Sequence, residues 1–374
     1  MRSAVLTLCI MGGILAATAF PSAGFAGEKG RAVVLKLEPG PDNPRNSEGD
    51  FITLKDGRLL FIYTHYTGKS SSDHATAYLA GRYSSNNGKS WDKEDHLVLA
   101  NEGKMNIMSV TLLRLQNGDI AMFYLRKNSV TDCIPMMRIS KDEAATWSDP
   151  VRCINDRDGY FVLNNHRVIQ LKSGRLLMAV AYHGNQVNDL NNRLGSAWSY
   201  YSDDNGVTWK PGKEAANPDS VKIQEPGVAE LKDGRILMWI RTNAGFQYQS
   251  FSNDGGVNWS PATKSNIPSP LSPAAIDRIP GTGDLLLVWN NNGNTNPESK
   301  GKRTPLTMAI SGDEGKTWGK IKNVEADPDG WYCYTAVHFA GSAVLLGYCA
   351  GSQQKKTHLS VTKIRRIKLS RVYR

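Results

Sequence analysis

The stretch ISGDEGKTW at 310–318 has four variants elsewhere in the chain: YSSNNGKSW at 83–91, ISKDEAATW at 139–147, YSDDNGVTW at 201–209 and FSNDGGVNW at 251–259. Each follows an apolar strand, a glycine turn and a second apolar strand. That partner unit appears six times, as FITLKDGRLLFIY, TLLRLQNGDIAMFY, RVIQLKSGRLLMAVAY, VAELKDGRILMWI, AIDRIPGTGDLLLVW and AVHFAGSAVLLGY. Apolar runs around DG, NG and SG are hairpin signals. A repeat of roughly 50 to 60 residues carrying about four strands predicts a β-propeller. The expected fold is therefore all-β: a six-bladed β-propeller with four-stranded antiparallel blades. The sixth unit lacks a box, so strands from both chain ends should complete it, with AVVLKL at 32–37 as the closing strand. No linker interrupts the repeat, so residues 27–374 read as one domain.

Walking the strands assigns the faces. The first strand of each unit descends the central channel, so the glycine turn and, one hairpin later, the Ser-x-Asp turn lie on the same lower face. Asp, Asn and Ser side chains there bind the backbone of their own turn, and glycine takes positive φ. The five boxes are structural, with Trp91, Trp147, Trp209, Trp259 and Trp318 packing into the blades. A site should occupy the upper face, where the first strands begin and variable loops follow the second strands.

Arg2, an apolar run and the small residues SAGFAG read as a secretory signal over residues 1–26. The run is short and broken by Gly12 and Gly13, which argues against a stable membrane anchor. The expected location is secreted or periplasmic. Export permits disulfides, and Cys133, Cys153, Cys333 and Cys349 read as two bridges or four buried thiols. Their spacing matches no metal site, and no metal or organic cofactor is expected. The net charge of +10 favours acidic partners. The basic tail KIRRIKLSRVYR continues a strand alternation and reads as a solvated final strand, not a nucleic-acid surface.

Five Asp boxes on six blades resemble the sialidase (neuraminidase) superfamily over essentially the whole mature chain. QEPGVAELKDGRILMWIR resembles the segment in which a Glu precedes one strand and an Arg ends the next, which implies Glu225 as activator of a tyrosine nucleophile and Arg241 in a carboxylate-binding arginine triad. KRTPLTMAISGDEGKTW implies Arg303 as another triad member. WYCYTAVHFAGSAVLLGY implies Tyr334 as nucleophile, with Tyr332 as fallback, and the loop HYTGKSSSDHATAYLAGRYSSNNG implies Asp73 as acid/base. These residue types suit a sugar with its carboxylate on the anomeric carbon. Guanidinium groups hold the carboxylate, and a neutral tyrosine avoids the repulsion that a carboxylate nucleophile would meet.

The family's Arg-Ile-Pro motif is replaced by NPRNSEGDFITLKDG. Arg45 supplies the first triad arginine if its segment bends toward the pocket. Ser47 or Glu48 stands at the motif's own position, and without Arg45 the pair Glu48 and Asp50 makes this corner acidic and implies a different sugar. In FVLNNHRVIQL, Asn164, Asn165, His166 and Arg167 open a first strand at the top and could read the sugar or simply satisfy local backbone; Arg126 and His183 end second strands there. The resemblance implies a retaining exo-α-sialidase acting on a glycan or glycoconjugate. The alternatives are a hydrolase for deaminated sialic acid or Kdo, and a propeller that binds carbohydrate without cleaving it.

Overall fold

The computed structural model describes residues 31–185, 194–293 and 300–374. The segment read as a signal peptide lies outside them. Six antiparallel sheets follow one another around a channel. Blade one is Asn46–Thr53, Leu59–Tyr66, Ala77–Ser84 and His96–Leu99. Blade two is Asn106–Arg114, Ile120–Lys127, Cys133–Ser140 and Val151–Arg152. Blade three has a divided first strand, Phe161–Val162 and Val168–Gln170, then Leu176–Tyr182, Ser196–Ser202 and Lys210–Pro211. Blade four is Ile223–Glu230, Ile236–Thr242, Phe246–Ser252 and Thr263–Pro268. Blade five is Ala275–Arg278, Leu285–Asn290, Leu306–Ser311 and Gly319–Glu325.

Blade six closes the ring. Gly330–Ala340, Ala343–Ser352 and Thr362–Lys368 come from the end of the chain, and Arg31–Leu37 adds the outer strand. The basic tail segment is therefore an interior strand with neighbours on both sides, not a solvated final one. Its Arg365 is buried and bonded to Glu325 at 2.8 Å, which is how a charge is accommodated there. The four cysteines of the propeller are buried free thiols. Among the described residues no helix is long and apolar enough to cross a membrane.

The second strands are the most apolar because both faces are covered by adjacent blades: Leu285–Asn290 is buried at every position. The core is a series of interblade seams. Phe51, Phe61, Leu345 and Ile364 form the one joining blades six and one. The boxes behave as expected of turns. In the second, Asp142 Oδ1 accepts the Thr146 amide at 2.9 Å, and Ser140 Oγ accepts the Ala144 amide at 2.8 Å. Ala144 sits at φ 68°, where the other four boxes carry glycine at 73° to 89°. Glu143 and Glu314 of two boxes accept the amides of Lys55 and Lys232 in neighbouring hairpin turns, both at 2.8 Å. Boxes and hairpin turns thus share one face.

At the opposite end of the first strands a second device recurs. Pairing registers shift at Ser47/Asp50, Met108/Thr111, Gln224/Gly227 and Cys333/Ala336. Inside these bulges Glu48, Ser109, Glu225 and Tyr334 all take positive φ, between 43° and 62°. A bulge re-aims a side chain that regular alternation would point elsewhere. Gly49 permits the first one, since a Cβ there would lie 2.5 Å from the Phe61 ring and 2.6 Å from a carbonyl oxygen.

Candidate active site

The four bulged residues line one cavity of about 360 Å³, together with Asn164 of blade three. Glu48, Ser109 and Glu225 each stand nine residues before the glycine of their own hairpin turn, Gly57, Gly118 and Gly234. That count is the signal by which Ser109 could have been found from the sequence. Second strands contribute Arg241 and Lys127, His183 directly follows one, and loops contribute Asp73, His74 and Arg303. Among the residues implied by the resemblance, the cavity gathers Asp73, Glu225, Tyr334, Arg241 and Arg303.

Glu225 is the hub. Its Oε1 accepts the Tyr334 hydroxyl at 3.0 Å, and its Oε2 accepts Arg241 Nη1 at 2.5 Å. Burial raises the Tyr334 pKa, and Glu225 raises it further, against the opposing effect of Arg241 and Arg303. The phenol therefore keeps its proton at rest and donates it to Glu225. Arg303 lies against the Trp331 and Tyr334 rings, at 5.1 and 5.6 Å. Arg241 and Arg303 are more than nine-tenths buried, and among the described residues Arg241 Nε and Arg303 Nη1 make no hydrogen bond. Unsatisfied buried donors in a cavity wall suit an anionic guest. Tyr332 is buried away from the cavity, its amide bonded to the Arg303 carbonyl at 2.9 Å and its ring against Tyr348.

Arg45 is only 1% exposed and does not line the cavity. It donates to Ser47 Oγ at 2.9 Å, Glu48 Oε1 at 2.9 Å, Asp73 Oδ1 at 2.5 Å and the Ser71 carbonyl at 3.3 Å. Its segment bends inward, but the guanidinium is consumed beneath the cavity. The Asp73 side chain is 55% exposed. Partial desolvation favours its neutral form, but Arg45 and then Lys127 outweigh that and lower its pKa. Its carbonyl is held by Lys127 Nζ and Asn106 Nδ2, both at 2.9 Å. Glu48 moves the other way: burial raises its pKa, and Asp73 and Glu225 add to this against Arg45 and Ser109.

Asn165, His166 and Arg167 are not brought into the cavity wall. They fill the channel between first strands. Asn165 Nδ2 donates to the carbonyls of Gly49 and Tyr334, at 2.9 and 3.1 Å. Arg167 donates to the Ala274 carbonyl at 2.6 Å and lies over Trp239; burial lowers its pKa to about 10. His166 bridges Asp50 and Asp277, 2.9 Å from each. Burial opposes its charge, yet the two carboxylates raise its pKa well above the usual range. This side chain is an imidazolium plug that ties blades one, three and five.

The fold has known counterparts. A protein of unknown function from Dyadobacter fermentans superposes with a TM-score of 0.71 at 17% identity, over 91% of this chain and 99% of that one. A sialidase from Streptococcus pneumoniae gives 0.69 at 13% identity, over 92% and 71%. A Trypanosoma rangeli sialidase solved with sialic acid gives 0.69 at 16% identity, over 92% of this chain and 60% of that one. At these identities the likeness is one of fold. No curated protein sequence matches. The model of the BNR repeat-like domain family matches residues 82–345, more than half of the chain, and the protein belongs to that family as a propeller of the sialidase-like kind.

Proposed function

We propose that the protein is a retaining glycoside hydrolase that releases a terminal acidic sugar, sialic acid or a related 2-keto acid, from a glycan or glycoconjugate. One observation carries the reading: a single carboxylate, Glu225, joins the hydroxyl of a half-buried tyrosine to a buried arginine. Arg241 and Arg303 hold the sugar's carboxylate and so set the anomeric carbon beside Tyr334. As the Tyr334 oxygen attacks that carbon, its proton passes to Glu225, and Asp73 protonates the leaving oxygen. Asp73 then takes a proton from water, which displaces Tyr334 as Glu225 returns the proton to the Tyr334 oxygen, and the configuration is retained. Binding without chemistry has no use for the Tyr334–Glu225 pair. Because Arg45 holds Asp73 as a carboxylate, kcat/KM should be highest on the acidic side of neutrality.

The test is fluorophore release from umbelliferyl glycosides of sialic acid, its deaminated analogue and Kdo. The reading expects turnover of at least one and its loss by about 10³-fold or more in Tyr334→Phe with ligand binding kept. Near-normal hydrolysis by that variant removes Tyr334 as nucleophile. A folded protein inert toward all three moves the weight to a different acidic sugar or to carbohydrate binding alone.

A further inference from the structure

The ionisable lining of the cavity includes three carboxylates, Glu48, Asp73 and Glu225, beside the cations Lys127, Arg241 and Arg303. Arg45 stays outside that lining with its donors engaged, and Glu48 reaches the cavity where a third guanidinium could have stood. Glu48 is built in place. Its backbone is fixed in a bulge at φ 55°, one oxygen is bonded to Arg45 and the other accepts Ser109 Oγ at 2.7 Å. A carboxylate offers about four lone-pair positions. Two are used, and a side chain only 3% exposed cannot fill the rest from bulk water. Glu48 lines the same cavity as Glu225, Arg241, Arg303 and Tyr334, so its wall faces the space beside the acid-binding corner.

We propose that Glu48 is the specificity-determining residue of this cavity. It accepts a hydrogen bond from a hydroxyl next to the sugar's acid group, and its charge turns away a second acid oxygen. The substrate's carboxylate is then held by two guanidinium groups rather than three. The substrate class follows: a 2-keto sugar acid that retains the hydroxyl on the carbon beside the acid-bearing one. Sialic acid, its deaminated analogue and Kdo all lack that hydroxyl, so those three are its poorer substrates. This rests on the acidic-sugar reading above.

A matched pair of ligands tests it: Kdo, which lacks that hydroxyl, and its counterpart carrying it, titrated calorimetrically into the full-length protein. The wild type should bind the hydroxylated acid at least about tenfold more tightly, as expected when a buried polar group is otherwise left unpaired. In Glu48→Gln the preference should fall below about threefold through the lost charge. Equal binding by the wild type, or no binding of either acid, overturns the proposal, and so does a preference that survives in Glu48→Gln. The wild-type comparison decides even if that variant fails to fold. Arg241→Ala separates the two levels. Loss of affinity for both acids keeps the acid-pocket reading whatever Glu48 does, whereas unchanged affinity removes that reading itself.

Discussion

Replacing His166 by Gln should cost the propeller about 3 kcal/mol. In the native channel the imidazolium lies 2.9 Å from both Asp50 and Asp277. Removing one member of a buried ion cluster costs roughly 3–5 kcal/mol, because a charge is left without its partner. Two features place this case at the lower end. Asp50 keeps two backbone donors, the amides of Phe51 at 2.8 Å and Leu112 at 2.9 Å, and Asp277 retains 27% side-chain exposure. Near neutral pH, wild type and variant are compared by urea unfolding with tryptophan fluorescence. The pH dependence gives a sharper check. The folded His166 pKa lies above its unfolded value of about 6.5, so its contribution is complete below that pH. It declines as pH rises and vanishes above the folded pKa. His338 shares the cluster but is held neutral by burial, with a pKa lowered to about 4, so it does not titrate in this window. A difference under 1 kcal/mol near pH 6, or one that grows with pH, would refute the ion-cluster argument.

Arg45→Met should move the alkaline limb of kcat/KM to higher pH, because the charge that lowers the Asp73 pKa is gone. A limb that stays put in a folded variant breaks the link between Arg45 and Asp73. The same variant leaves Glu48 without its cation, so a thermal melt should show a clear loss of stability. Ala144→Gly should stabilise the protein by about 0.5 kcal/mol, since relief of left-handed strain exceeds the added unfolded-state entropy. A lower denaturation midpoint would mean that the second box tolerates alanine without strain.

The sequence by itself determined the propeller, its blade count, its closing strand and the face on which the boxes lie. Those follow from local rules: period-two alternation, a glycine turn and an Asp or Asn that binds its own loop. The resemblance pointed to Glu225, Arg241, Arg303 and Tyr334, and strand order by itself put Glu225 and Arg241 at the same end of their blade. Only the tertiary structure decided what Arg45, Glu48, His166 and the basic tail do. Arg45 and Glu48 compete for one cavity wall, and the contacts of Ser47, Asp73 and Ser109 settle that Glu48 lines it. His166 could have faced a ligand until Asp50 and Asp277, from blades one and five, closed on it. A buried charge takes its role from the partners that share its burial, and those partners are distant in the chain.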